Sequence, residues 1–201
     1  MLPMNPAKIF PAAILAALLI PGCSTTSQIT ADYFAYGTVD DAVQTAQLIV
    51  TGTYLDSRED SIGCPEEPEP GLTEEENPQL GVPAEEITDL GCSPVTISSI
   101  KVTSVLKGSA EVGETIEVGQ DGGTIDGIRQ LEAHTVLLSD VAAKGDLVFL
   151  LTDCGPWYCP LNPHVGILTL DGSETTTISK SSENADIKSL AEIEAALRKQ
   201  Q

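Results

Sequence analysis

Positive charge is scarce in this 201-residue chain: ten Lys and Arg stand against thirty Asp and Glu, a net charge of −20. A surface that grips phosphates must be basic, so nucleic acid is excluded as a partner. Charge-driven docking on an anionic lipid surface is excluded for the same reason. Aromatic residues make up only 4% of the chain, and His134 and His164 are its only histidines. There is no G-x-S-x-G, no H-E-x-x-H and no phosphate-binding glycine loop. Ser98-Ser-Ile-Lys101 and Ser104-Val-Leu-Lys107 match the S-x-x-K pattern. That chemistry needs Ser and Lys one helical turn apart, whereas in a strand positions i and i+3 face opposite ways. We therefore expect no enzyme, no cofactor and no metal centre.

Long apolar runs are also few. Ile9 to Ile20 is a run of twelve, interrupted only by the uncharged Pro11. It is too short to span a bilayer and suits the core of a secretory signal. It ends in Leu19-Ile20-Pro21-Gly22-Cys23. That string resembles the lipobox of bacterial lipoproteins, which implies a signal peptide over 1–22 and lipidation of Cys23. Residues 23–31 then read as a lipidated tether and 32–201 as a single β-rich domain. The resemblance places the protein outside the cell, on the outer side of the membrane, held by two or more acyl chains.

Four further cysteines remain: Cys64, Cys92, Cys154 and Cys159. An even count in an exported chain predicts two disulfides, with three possible pairings. Proximity favours Cys64–Cys92 and Cys154–Cys159. The rival readings are redox catalysis at Cys154/Cys159 and a mixed Cys159/His164 metal site. Four residues separate Cys154 from Cys159, against two in thioredoxin-type sites, where a helix start stabilises the thiolate.

The spacing predicts a helix over 38–46 capped by Thr38, then a strand over 47–54. Asp56 to Gly91 holds twelve acids, five prolines and one base, Arg58. Such a stretch lacks the apolar surface to order itself, so 57–91 reads as an acidic, Pro-rich insertion between neighbouring strands. In the strand Val95–Leu106, the apolar spacing slips from two to three twice, which predicts a bulge. Further strands are expected at 114–119 and 165–170, the latter turning at Asp171-Gly172 into 175–179. A tight turn is expected at Asp121-Gly122-Gly123, then an irregular stretch to 146 with one strand near 135–139. Leu147-Val-Phe-Leu-Leu151 is unbroken apolar and predicts a strand buried on both faces. Ser189 and Glu192 open an amphipathic C-terminal helix. The expected fold is mainly β, an OB-like or netrin-like small barrel with a C-terminal helix, with a β-sandwich as the alternative.

Leu48-Ile-Val-Thr-Gly-Thr53, Ile100-Lys-Val102 through Val105-Leu-Lys-Gly108, Gly145-Asp-Leu-Val-Phe-Leu150 and Gly166 form a string across 45–170. It is similar to the small exported domains of bacterial lipoproteins. It also resembles, more distantly, the netrin-like domain of tissue inhibitors of metalloproteinases, an OB-type barrel. Those inhibitors use the free amine of a Cys-x-Cys N-terminus, whereas Cys23-Ser24-Thr25 lacks the second cysteine. The resemblance implies fold and no functional residue.

The aromatics cluster at Tyr33/Phe34/Tyr36 and at Trp157/Tyr158. The first group is expected to pack the tether onto the barrel. Trp157 and Tyr158 either cover the Cys154–Cys159 loop or anchor a partner. The expectation is thus a non-catalytic, membrane-anchored envelope protein that binds or scaffolds an unidentified envelope protein or ligand. The alternative is a thiol-disulfide oxidoreductase.

Overall fold

The computed structural model describes residues 26–29, 32–63, 92–125, 127–141 and 145–200. The expected signal peptide, Cys23, Cys64 and the acidic stretch 64–91 lie outside the described residues. The fold is mainly β, with strands β1 (Thr26–Ile29), β2 (Leu48–Ile62), β3 (Ser93–Lys107), β4 (Thr115–Ile125), β5 (Ile128–Glu132), β6 (Leu147–Asp153), β7 (Tyr158–Pro160), β8 (Ile167–Asp171) and β9 (Glu174–Thr177). Among the described residues three short helices accompany them: α1 (Val39–Thr45), α2 (Leu138–Val141) and α3 (Leu190–Arg198).

Five of the strands close on themselves. β2 pairs antiparallel with β3 and with β6, and β3 pairs antiparallel with β4. β7 pairs antiparallel with β6 and parallel with β4, through Val118 and Tyr158. The circuit β2–β3–β4–β7–β6 is the strand order of an OB-like barrel. β1 and β5 extend the sheet beyond β4, and β8 and β9 extend it beyond β6.

Alternation along β2 and β6 divides the core in two, because successive side chains point to opposite faces. Leu48, Val50, Leu147, Phe149 and Leu151 face the interior with Ile100, Val102, Ile116 and Val118. Ile49, Val148 and Leu150 face outward and are covered by Ala42, Val43 and Ala46 from the α1 side and by Ile193 and Ala196 of α3. The apolar run at 147–151 is thus buried on both faces, as its unbroken pattern predicts. Thr38 caps α1 by accepting from Asp41 N–H, and Ser189 caps α3 by accepting from Glu192 N–H. The Glu192 carboxylate reaches back to Lys188 N–H. The Lys107 ammonium donates to the carbonyls of Val43 and Gln44 at the C-terminal end of α1, where the helix dipole is negative, and burial lowers its pKa.

The slipped spacing in β3 corresponds to register shifts against β2, between Ile49 and Val50, Thr51 and Gly52, and Tyr54 and Asp56. Other expectations are corrected. β2 does not end at 54. It continues to Ile62, so the first residues of the acidic segment are strand. Their charges face solvent while their backbones pair with Ser93–Ser98, and Arg58 forms a two-pronged ion pair with Glu117 of β4. Asp121-Gly122-Gly123 is not a turn. β4 leaves β3 after Asp121 and pairs with β5 from Gly122 onward. Gly122 permits this bend, having φ +120° and Leu131 and the Gln130 carbonyl within 3.0 Å of where a Cβ would stand. The hairpin closes later, where Ile125 pairs with Ile128. Residues 135–139 form no strand. The buried Gln120 side chain donates to Val136 C=O and accepts from Leu138 N–H, which starts α2. Finally, within the expected tether, 26–29 pairs with β5 as a parallel strand.

Candidate functional site

The β6–β7 hairpin carries the sequence features that stood out. Thr152 pairs with Cys159 and Asp153 with Tyr158. Cys154 and Cys159 are joined by a disulfide, with Cα atoms 5.9 Å apart. Inside the bridge, Cys154 N–H donates to Trp157 C=O at 3.0 Å, and Gly155 N–H donates to the Asp153 carboxylate at 2.8 Å. This short loop joins two strands, so no helix dipole acts on Cys154 as it would in a thioredoxin-type site. Cys92 is also disulfide-bonded, with its partner outside the described residues.

Trp157 lies against Gly119 of β4. A Cβ placed on Gly119 would stand 2.4 Å from the indole Nε1 and 2.5 Å from its Cδ1, so only glycine leaves room for the ring. Tyr158 turns the other way and packs against the interior cluster. Both residues also line a cleft. That cleft, of about 220 Å³, runs between Glu114–Glu117 on one side and Asp153 with Gly155–Tyr158 on the other. Three carboxylates and one indole face it. Glu117 is held by Arg58, Glu114 accepts from Glu111 N–H, and Asp153 accepts from Gly155 N–H. The cleft's lining residues include no serine, no cysteine and no histidine. Its chemistry suits a cation resting on an aromatic face with carboxylates beside it.

Spacing along the chain did not indicate these carboxylates. Glu114 and Glu117 meet Trp157 only because β7 pairs parallel with β4, about forty residues away in sequence. Asp153 was within reach of inference, since it directly precedes the stapled loop.

A second polar region lies near the N-terminal segment. Asn162 is buried and donates to Phe34 C=O and Asn184 Oδ1, while its own Oδ1 accepts from His164 N–H and Val165 N–H. Tyr33 donates to Asp121 at 3.2 Å. Burial, followed by the charges of Asp121 and Glu132, holds its phenol well above the ordinary tyrosine range. Phe34 corrects the expectation that its aromatic group packs onto the barrel. It is 86% exposed, whereas Tyr33 and Tyr36 are partly buried. His134 and His164 come together with ring centroids 5.1 Å apart. The mixed Cys159/His164 metal site is not formed, because Cys159 is spent in the disulfide. Neither S-x-x-K match brings Ser and Lys together. Ser98 is buried while Lys101 is exposed, and Lys107 is engaged by α1.

No family model, curated protein or solved structure matches the chain.

Proposed function

We propose that the protein is a non-catalytic, lipid-anchored module of the cell envelope that docks a partner in the cleft beside Trp157. The lipobox-like string ending at Cys23 supports the anchor. The observation that carries the docking role is the indole seated on Gly119 among Glu114, Glu117 and Asp153. A rigid aromatic beside carboxylates suits a Lys or Arg side chain of an envelope protein. The chain's net charge of −20 would steer such a basic partner toward it.

Two measurements test the reading. Metabolic labelling with a clickable fatty acid should mark the native chain and not Cys23→Ala; label on the variant, or none on either, overturns the anchor. A photocrosslinker at Pro156 should capture a partner in intact cells, and capture should vanish in Trp157→Ala with the fold retained. Capture that survives Trp157→Ala overturns the cleft as the docking site. The oxidoreductase alternative rests on the exposure of Cys154. It requires a bridge that mild reductant opens to a reactive thiolate. Alkylation of Cys154 after such treatment would favour it over the docking role.

A further inference from the structure

The two histidines lie thirty residues apart in sequence, yet they share a cavity of about 400 Å³ with Asp32, Tyr33, Lys180 and Glu183. His164 is only 8% exposed. Its Nδ1 lies 3.2 Å from the Ser179 carbonyl oxygen and 3.2 Å from the Ser179 hydroxyl. With the proton on Nδ1, the contact to the carbonyl is a hydrogen bond and Nε2 is left with its lone pair. Nε2 makes no hydrogen bond among the described residues. A ligating histidine is ordinarily fixed in this way, with its remote N–H on a backbone carbonyl.

His134 is positioned from beneath. The carboxylate of Glu132, 3% exposed, accepts from His134 N–H at 2.7 Å and from the Thr135 hydroxyl at 3.2 Å. The turn that carries the ring is thereby held, while the ring itself is exposed and makes no hydrogen bond among the described residues.

We infer that His134 and His164 form a two-imidazole site for a borderline transition-metal cation of the zinc class. The separation fits. With metal–nitrogen bonds of about 2.1 Å, each ring centroid stands roughly 3.2 Å from the metal. Centroids 5.1 Å apart then subtend about 106° at the metal, close to tetrahedral. Among the described residues no third His, Cys, Asp or Glu completes the set. The remaining positions therefore fall to water or to a group from outside the chain. Asp32 and Glu183 on the cavity wall, partly offset by Lys180, favour a cation over an anion.

Calorimetric titration with Zn²⁺ tests this, on the tag-free full chain in detergent and in excess Ca²⁺. Calcium occupies surface carboxylates and competes poorly for imidazole. One Zn²⁺ should bind per chain. The affinity should fall about tenfold or more in His134→Ala, whose exposed position leaves folding intact, and likewise in His164→Gln. No binding to the native chain, or equal affinity in folded His134→Ala, overturns the inference.

Discussion

Replacing Gly119 with Ala gives a direct reading of the Trp157 seat. The added methyl would stand 2.4 Å from Nε1 and 2.5 Å from Cδ1 of the indole, and 3.1 Å from its Cε2. Contacts that short are not tolerated, so the ring must lift or β4 must shift. Overpacking of this kind costs about 1–3 kcal/mol. For a domain of this size, 1 kcal/mol lowers the melting midpoint by roughly 2–4 °C, so a fall of about 2–12 °C is expected. Trp157 is the chain's only tryptophan, so its emission reports the displacement without interference. A red shift should accompany the lower midpoint, because a lifted indole meets more water. The same substitution in a Trp157→Ala background should cost at least about 0.5 kcal/mol less, since the clash is gone and the effects of residues in contact do not add. Unchanged emission with an unchanged midpoint would refute the packing argument. Equal cost in both backgrounds would place the strain elsewhere on β4.

Phe149, fully buried in the barrel interior, should cost about 3–5 kcal/mol when cut to Ala, read as a lower urea midpoint. Tyr33 has its folded pKa raised, so its contribution to stability is fully present below about pH 10 and is lost as pH rises through the higher folded value. Urea midpoints should fall above about pH 10, and Tyr33→Phe should blunt that fall; an identical alkaline profile in the variant would contradict it. Ile62 and Ser93 are already paired, so replacing 65–91 with a short turn joins ends that stand side by side. Loop-closure entropy changes by only ~0.6 kcal/mol per doubling of length, so the melting midpoint should hold. Excising 57–91 instead removes the paired ribbon and the Arg58–Glu117 contact, and the midpoint should drop.

Much of the fold was legible because its signals are local. Thr38 and Ser189 stand immediately before the helices they cap. Five apolar residues in a row at 147–151 leave no polar face for solvent. The slip in apolar spacing along β3 marked a strand that cannot stay in register with its neighbour. The missed elements draw their pairing from far along the chain. β7 is Tyr158-Cys-Pro160, too short for any alternation, and it is a strand only because β6 and β4 flank it. The charge of residues 57–62 suggests a loop, yet an exposed ribbon can carry charges outward while its backbone pairs. The glycine pair at 122–123 misled because one local signal serves two purposes. Glycine permits a hairpin turn, and it equally permits a strand to bend away from one partner toward another.

The same distinction explains what could be seen of the candidate site. Trp157 stood out by rarity, and the flanking cysteines showed that its loop was constrained. The groups facing it could not be seen, because they depend on the pairing that closes the barrel. That closure is narrow. β4 and β7 meet through Val118 and Tyr158, with Gly119 following the first and Trp157 preceding the second. The seam of the barrel and the seat of the indole are therefore adjacent residues on the same two strands. A single pair contributes few hydrogen bonds, so the Cys154–Cys159 bridge, which fixes β7 against β6, bears on the closure as well as on the loop. The cleft exists because the barrel is shut there, and a change that opens the seam removes the wall on which Trp157 rests.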